Sequence, residues 1–266
     1  MKGKKRKGAS PLSISLAERH LRPIAAVLLD ESSDREAVQE SLEELMNMEG
    51  RYILPPEYYS LRMIALSTLG RDIEDILKIA EAGKDSYPHD AFIRFNLGAS
   101  YLEAGYLLLA YRELHHALES WTQKEADFVS MDQIRDRIRD IESEAPELLA
   151  SAGLEWPTDQ KLAAAGEQVR RYLELGALDE CITLGMEILD DRPEQNHVRN
   201  NLARALWENG RMTEAVTHQE ESLRRAPDRL AGLANMVRFC TVTNRTDRAR
   251  PWADHARNLA MKTKSG

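Results

Sequence analysis

The apolar positions of this chain repeat at helical spacing. Near the start, Ile14, Leu16, Leu21, Ile24 and Leu28 mark one helix, and Asp34 stands where an N-cap opens a second with Leu42 and Leu45 on its apolar side. Asn47 to Pro56, ending Leu54-Pro55-Pro56, reads as a linker. Further on, Ile134, Ile138 and Ile141 give an amphipathic stripe from about Ser130 to Ser143. Ala145-Pro146-Glu147 has the form of a fresh helix start, because proline suits the first helical turn. Gly153 to Thr158, containing Trp156-Pro157, reads as a stop. Pro251 falls inside the last expected helix, which predicts a late start or a kink there.

Between these segments the pattern repeats itself. The block from Asp90 to Trp121 carries Leu97-Gly98, Tyr101, Gly105, Ala110, Leu114 and Ala117. A start at Asn196 gives Leu202-Ala203, Leu206, Gly210, Ala215, Ser222 and Pro227 at matching offsets. A start at Leu162 gives Val169, Tyr172, Gly176, Cys181, Ile188 and Pro193. A start at Leu230 gives Met236-Val237, Cys240, Asn244, Ala249 and Ala256. A weaker unit starts at Glu57, with Met63, Ile76, Gly83 and Pro88, and with Arg71 at the turn position. The last three units keep a strict phase of 34 residues, from 162 to 196 to 230.

Each position has a physical reading. The turn residues Gly105, Gly176, Gly210 and Asn244 end a first helix in a left-handed conformation, which Gly and Asn adopt cheaply. Gly98, Ala110, Ala117, Ala203 and Ala215 let two helices approach. Leu97, Tyr101, Leu107, Tyr172, Leu178 and Met212 are expected to fill the space between layers. A closing proline cannot continue a helix and marks the link to the next unit.

These spacings resemble the tetratricopeptide repeat (TPR) family. The resemblance implies an all-α fold, an α-solenoid (right-handed superhelix) of antiparallel helix pairs, with roughly fourteen helices here. It divides the chain into a disordered basic tail (1–11), a degenerate helix pair and linker (12–56), and two repeats (57–122). A degenerate repeat or helical insertion (123–161), three repeats (162–262) and a short tail (263–266) follow. The 71 residues from 91 to 162 are two repeats plus three, so 123–161 is also the place to expect a hinge or boundary.

In such arrays the first helix of each repeat lines a concave groove. At the ninth position the last three units carry Arg170, Arg204 and Arg238; at the sixth, Glu167, Asn201 and Asn235. The unit at 196 adds His197, Asn200 and Trp207. Glu174 and Glu208 stand beside the arginines. One reading is a groove for an extended or helical acidic segment, with three planar guanidinium forks, amides for a peptide backbone and Trp207 as an aromatic anchor. The other is that the arginines are exposed helix formers, cancelled by Glu174 and Glu208. The family's clamp for chaperone C-terminal carboxylates needs residues that here are Gly166, Arg170, Asn201, Ala231 and Asn235, of which only Asn201 fits. The first two units offer Tyr58, Leu61, Phe92, Phe95, Asn96 and Leu102 instead, a lining expected to be filled by the chain's own N-terminal helices.

Charge alters this picture at one end. The formal net charge is -8, yet Lys2, Lys4, Lys5, Arg6 and Lys7 put five positive charges in the first seven residues. The acidic body disfavours nucleic acid and anionic membranes, while the basic tip keeps a nucleic-acid-associated regulator as an alternative. Cys181 and Cys240 sit in apolar helical patterns with no metal-type spacing, as in a reducing, cytoplasmic setting. No signal peptide or membrane span is read. Phosphate-loop, dinucleotide, zinc-protease and nucleophile-elbow motifs are absent, so the expectation is a non-enzyme without cofactor or small-molecule substrate. His115 and His116 point about 100° apart on a helix and suit no shared metal. Asp132, Arg135, Asp136, Arg139 and Glu142 read as a solvated face laced with ion pairs. The expected role is a scaffold or adaptor that binds a protein or peptide. The second is a self-associating homo-oligomer, built through the terminal repeats.

Overall fold

The computed structural model of the chain describes residues 13–30, 32–122 and 129–263. The basic tip, the expected tail over 1–11, the 123–128 part of the expected insertion and residues 264–266 lie outside them. Thirteen helices and no strand make up the described residues. They are α1 (Ile14–Leu28), α2 (Arg35–Met48), α3 (Pro56–Thr68), α4 (Ile73–Ser86), α5 (Ala91–Glu103), α6 (Leu107–Ser120) and α7 (Met131–Ser151), then α8 (Gln160–Glu174), α9 (Leu178–Asp191), α10 (Asn196–Glu208), α11 (Met212–Arg225), α12 (Leu230–Val242) and α13 (Thr246–Thr263).

One turn recurs between paired helices. Gly70, Gly105, Gly176, Gly210 and Asn244 all have positive φ, between 54° and 84°. The next residue then donates its N–H to the carbonyl five positions back. These bonds are Arg71 to Leu66 (2.9 Å), Tyr106 to Tyr101 (2.8 Å), Ala177 to Tyr172 (2.9 Å), Arg211 to Leu206 (2.8 Å) and Arg245 to Cys240 (2.8 Å). This is the Schellman closure, which satisfies carbonyls left over at a helix C-terminus. Four of the turn positions are those expected. In the first unit the left-handed residue is Gly70, and Arg71 is the donor that follows it. One more residue then separates the turn from α4, which restores the expected phase for the second helix of that pair.

The starts are as local as the ends. Asp34, Asp72 and Asp90 accept hydrogen bonds from the N–H groups of Ala37, Glu74 and Ile93. Ser130 opens α7 with a reciprocal box, receiving the N–H of Gln133 and donating its own N–H to the Gln133 side chain. α7 then runs unbroken through Pro146, so this proline does not start a new helix. Over 123–161 the described residues before α8 therefore hold one helix where a repeat needs two, and the count is thirteen. α13 begins on time at Thr246 and runs through Pro251.

The chain divides into two compact units, Met1–Leu148 and Leu149–Gly266. In the first, α3 pairs with α4 and α5 with α6, α4 packs on α5, and α1 and α2 both pack on α3. Leu97, Tyr101, Leu109, Leu114 and Ala117 are buried. In the second, α8–α9, α10–α11 and α12–α13 form antiparallel pairs, and α10 touches both α8 and α12. Its core contains Val169, Leu173, Ile188, Val198, Leu202, Leu206, Met236 and Phe239. Cys181 and Cys240 are both buried, and burial pushes the Cys181 thiol up to about 11. Leu97 and Tyr101 fill the interior as expected, Leu107, Tyr172 and Leu178 are half-buried, and Met212 is exposed. The repeats are tetratricopeptide-like. Among the described residues no helix is long and apolar enough to cross a membrane.

The close approach of paired helices can be tested at Gly98. A Cβ there would lie 2.9 Å from Leu114 Cγ and 3.4 Å from the Ala110 carbonyl oxygen. Gly98→Leu is expected to cost roughly 1–3 kcal/mol by overpacking. Faster amide exchange in α5 and α6 is the readout, and wild-type protection in both helices would contradict this packing.

Candidate functional site

In the second unit, α8, α10 and α12 are the first helices of their pairs. Equal phase puts Arg170, Arg204 and Arg238 at equivalent turns of these helices, with side chains 40%, 44% and 51% exposed. A carboxylate one turn later meets each of the first two, as i,i+4 spacing dictates. Arg170 Nε lies 3.7 Å from Glu174 Oε1, and Arg204 Nε lies 2.9 Å from Glu208 Oε1. Arg238 has no glutamate one turn on. Its Nη1 reaches across to the same Glu208 oxygen at 3.6 Å. The structure thus joins Arg204 and Arg238 through one carboxylate. Glu167, one turn before Arg170 on α8, is half-buried.

The expected amides divide into two kinds. Asn235 Nδ2 donates to Asn200 Oδ1 at 3.2 Å and to Gln219 Oε1 at 3.1 Å. Asn200 and Gln219 are buried. These groups tie α10, α11 and α12 together, so Asn200 and Asn235 are engaged inside the stack rather than offered to a peptide. Asn201 is half-buried, one helical turn before Arg204 on the same side of α10. Trp207 is 7% exposed and stacked flat on Phe239, with ring centroids 4.2 Å apart and planes at 10°. The expected aromatic anchor is therefore a packing element between α10 and α12. His197 lies on the α8–α10 seam, where a Cβ on Gly166 would come 2.6 Å from its Nε2. Burial first, and the Arg229 charge second, lower its pKa to about 4.

Sequence reading passed over Arg171, which is fully buried, and Gln219. Both carry a wheel signal. Arg171 is two turns from the buried Ala164, and Gln219 one turn from the buried Ala215.

In the first unit Tyr58 and Leu61 are buried, covered in part by the chain's own α1 and α2, while Phe92, Phe95, Asn96 and Leu102 are half-buried. The Tyr58 hydroxyl donates to Glu49 at 2.9 Å, and burial drives its pKa well above the ordinary phenol value. Asn96 Nδ2 donates to Ser60 Oγ at 3.3 Å. His116 pairs with Glu119 and His115 sits edge-on to Tyr111. His115, Leu118 and Ile138 floor an open groove of about 680 Å³ whose charged walls are the self-paired Asp132–Arg135 and Asp136–Arg139. Glu142 accepts from the Tyr111 hydroxyl at 3.1 Å instead of pairing with Arg139. Among the described residues no three His, Cys, Asp or Glu side chains come together as a metal site.

No protein-family profile matches the chain, and no curated protein matches it in sequence. Solved structures do. A MamA structure (MSR-1) is 18% identical, covering 78% of this chain and 98% of that one, with a TM-score of 0.37. The TPR2AB domain of yeast Sti1, solved as a pHSP90 complex, is 15% identical over 94% and 93%, with a TM-score of 0.39. YrrB, described as a TPR protein with an unusual peptide-binding site, is 12% identical over 88% and 100%, with a TM-score of 0.35. At these scores the fold rests on this chain's own helix pairing.

Half-buried His197 generates a pH prediction. Its folded pKa lies below the unfolded 6.5, so between about 4 and 6.5 the unfolded chain binds more protons. Stability from this group is whole above pH 6.5 and is lost as pH falls toward 4. Lowering the pH from 7 to 5 should cost roughly 1–2 kcal/mol through His197. Burial and the Arg199 charge lower His218 in the same direction, so His197→Asn should flatten the profile without abolishing it. Urea midpoints at both pH values check this, and an equal pH dependence in wild type and variant would contradict it.

Proposed function

We propose that the chain is a protein-interaction scaffold whose α8–α10–α12 face docks a segment of another protein through carboxylates. The observation that carries this reading is the row of Arg170, Arg204 and Arg238, half-exposed at one phase of three stacked helices. A guanidinium presents several coplanar N–H donors, and at Arg204 the contact from Nε to Glu208 leaves the Nη groups open to a second acceptor. Glu174 and Glu208 already pair with the arginines, so recognition here works by donor geometry more than by bulk attraction. That favours a segment with carboxylates at defined spacing over a generic polyanion, and it leaves nucleic acid without a matching surface on this face. Asn201 supplies a further polar contact beside Arg204. Asn200, Asn235 and Trp207 support the face from below.

Self-association remains a second reading. What favours it is the exposure of Leu230 (48%), Val242 (62%) and Met261 (54%) on α12 and α13.

Arg170→Glu, Arg204→Glu and Arg238→Glu combined should reduce recovery of the physiological partner on the order of tenfold or more, with helicity unchanged. Affinity capture from native lysate, read by mass spectrometry against wild type, measures it. Equal recovery by both would remove this face from the function.

A further inference from the structure

Glu208 makes contacts on two successive repeats. It closes α10 with its side chain 27% exposed, and one of its oxygens serves guanidiniums on two successive repeats, Arg204 at 2.9 Å and Arg238 at 3.6 Å. Two like charges drawn to one oxygen repel each other unless an anion stands between them. The contact to Arg204 uses its Nε, so the outer Nη groups of that fork are uncommitted to Glu208, and the contact to Arg238 exceeds ordinary hydrogen-bond length. Glu174 lies beside Arg170 on the same helix, at 3.7 Å. The anion that Glu208 supplies has the chemistry of the ligand the face is read to bind.

Resting on that reading of the face, we propose that Glu208 is an internal competitor that sets affinity and selectivity, occupying the Arg204–Arg238 pair when the face is empty and yielding it to a carboxylate of the incoming segment. A partly exposed ion pair of this kind is weak enough to exchange. A partner with one carboxylate at the right place replaces like with like. A polyanion such as oligoglutamate must displace Glu208 from both arginines, which lowers its affinity without abolishing it.

The test uses the full chain and a fluorescein-labelled oligoglutamate peptide, read by anisotropy. Glu208→Gln should tighten binding roughly three- to tenfold at low salt and steepen its salt dependence. Glu187→Gln on α9 makes the same change in net charge away from the face and should leave affinity near wild type. Arg204→Gln with Arg238→Gln should weaken binding and abolish the gain from Glu208→Gln when the three are combined. If Glu208→Gln binds no better than Glu187→Gln while the arginine double variant still loses affinity, the competitor is overturned and the docking face stands. If the arginine double variant binds as wild type does, the face itself fails and the competitor with it. Binding detected only once Glu208 is replaced would support the competitor. Circular dichroism of every variant confirms that helicity is kept.

Discussion

The hydrogen bond from Ala177 N–H back to the Tyr172 carbonyl, closed over left-handed Gly176, is the contact from which the second unit follows. It ends one helix and starts its partner after a fixed number of residues, and Gly210 and Asn244 repeat it 34 and 68 residues later. A helix pair made this way cannot bury its apolar stripe alone, so each must stack on the next. Equal phase then makes every repeat position a row. The buried row of Leu202 and Met236 and the exposed row of Arg170, Arg204 and Arg238 are two products of the same spacing.

The row gives the face its arginines, and the stack claims much of what lies beneath them. Asn235 donates to both Asn200 and Gln219, since a buried amide without a partner costs about 1–3 kcal/mol. Trp207 and Phe239 stack because α10 and α12 are neighbours and both rings face the seam. His197 is kept neutral by the same burial. What remains outward is a strip of alternating guanidinium and carboxylate, in which Glu208 spans two repeats.

How much of this was legible in the sequence depends on the range of the interaction. Turns and caps are local, so Gly105, Gly176, Gly210, Asn244 and Asp34 could be placed from their own neighbours. Gly70 was missed because the first pair has one extra residue before α4, and phase counted from the second helix points to Arg71. Pro146 was misread because a proline suits a helix start locally, while only the structure reveals that α7 continues through it. Position in the repeat placed the arginines at one phase with glutamates beside them. It could not separate Arg204, which stays outside, from Trp207 and Asn200, which turn inward, because that depends on what the next repeat presents. The bridge from Glu208 to Arg238 is a contact between repeats and has no signature within either one.

The central claim is that the first helices of the second unit form one docking face. Hydrogen–deuterium exchange with and without saturating oligoglutamate tests it across the whole chain at once. The account predicts slowed exchange in segments covering α8, α10 and α12, with α9, α11 and the first unit unchanged. Slowing confined to other helices, or none at a peptide concentration where binding is complete, would contradict it.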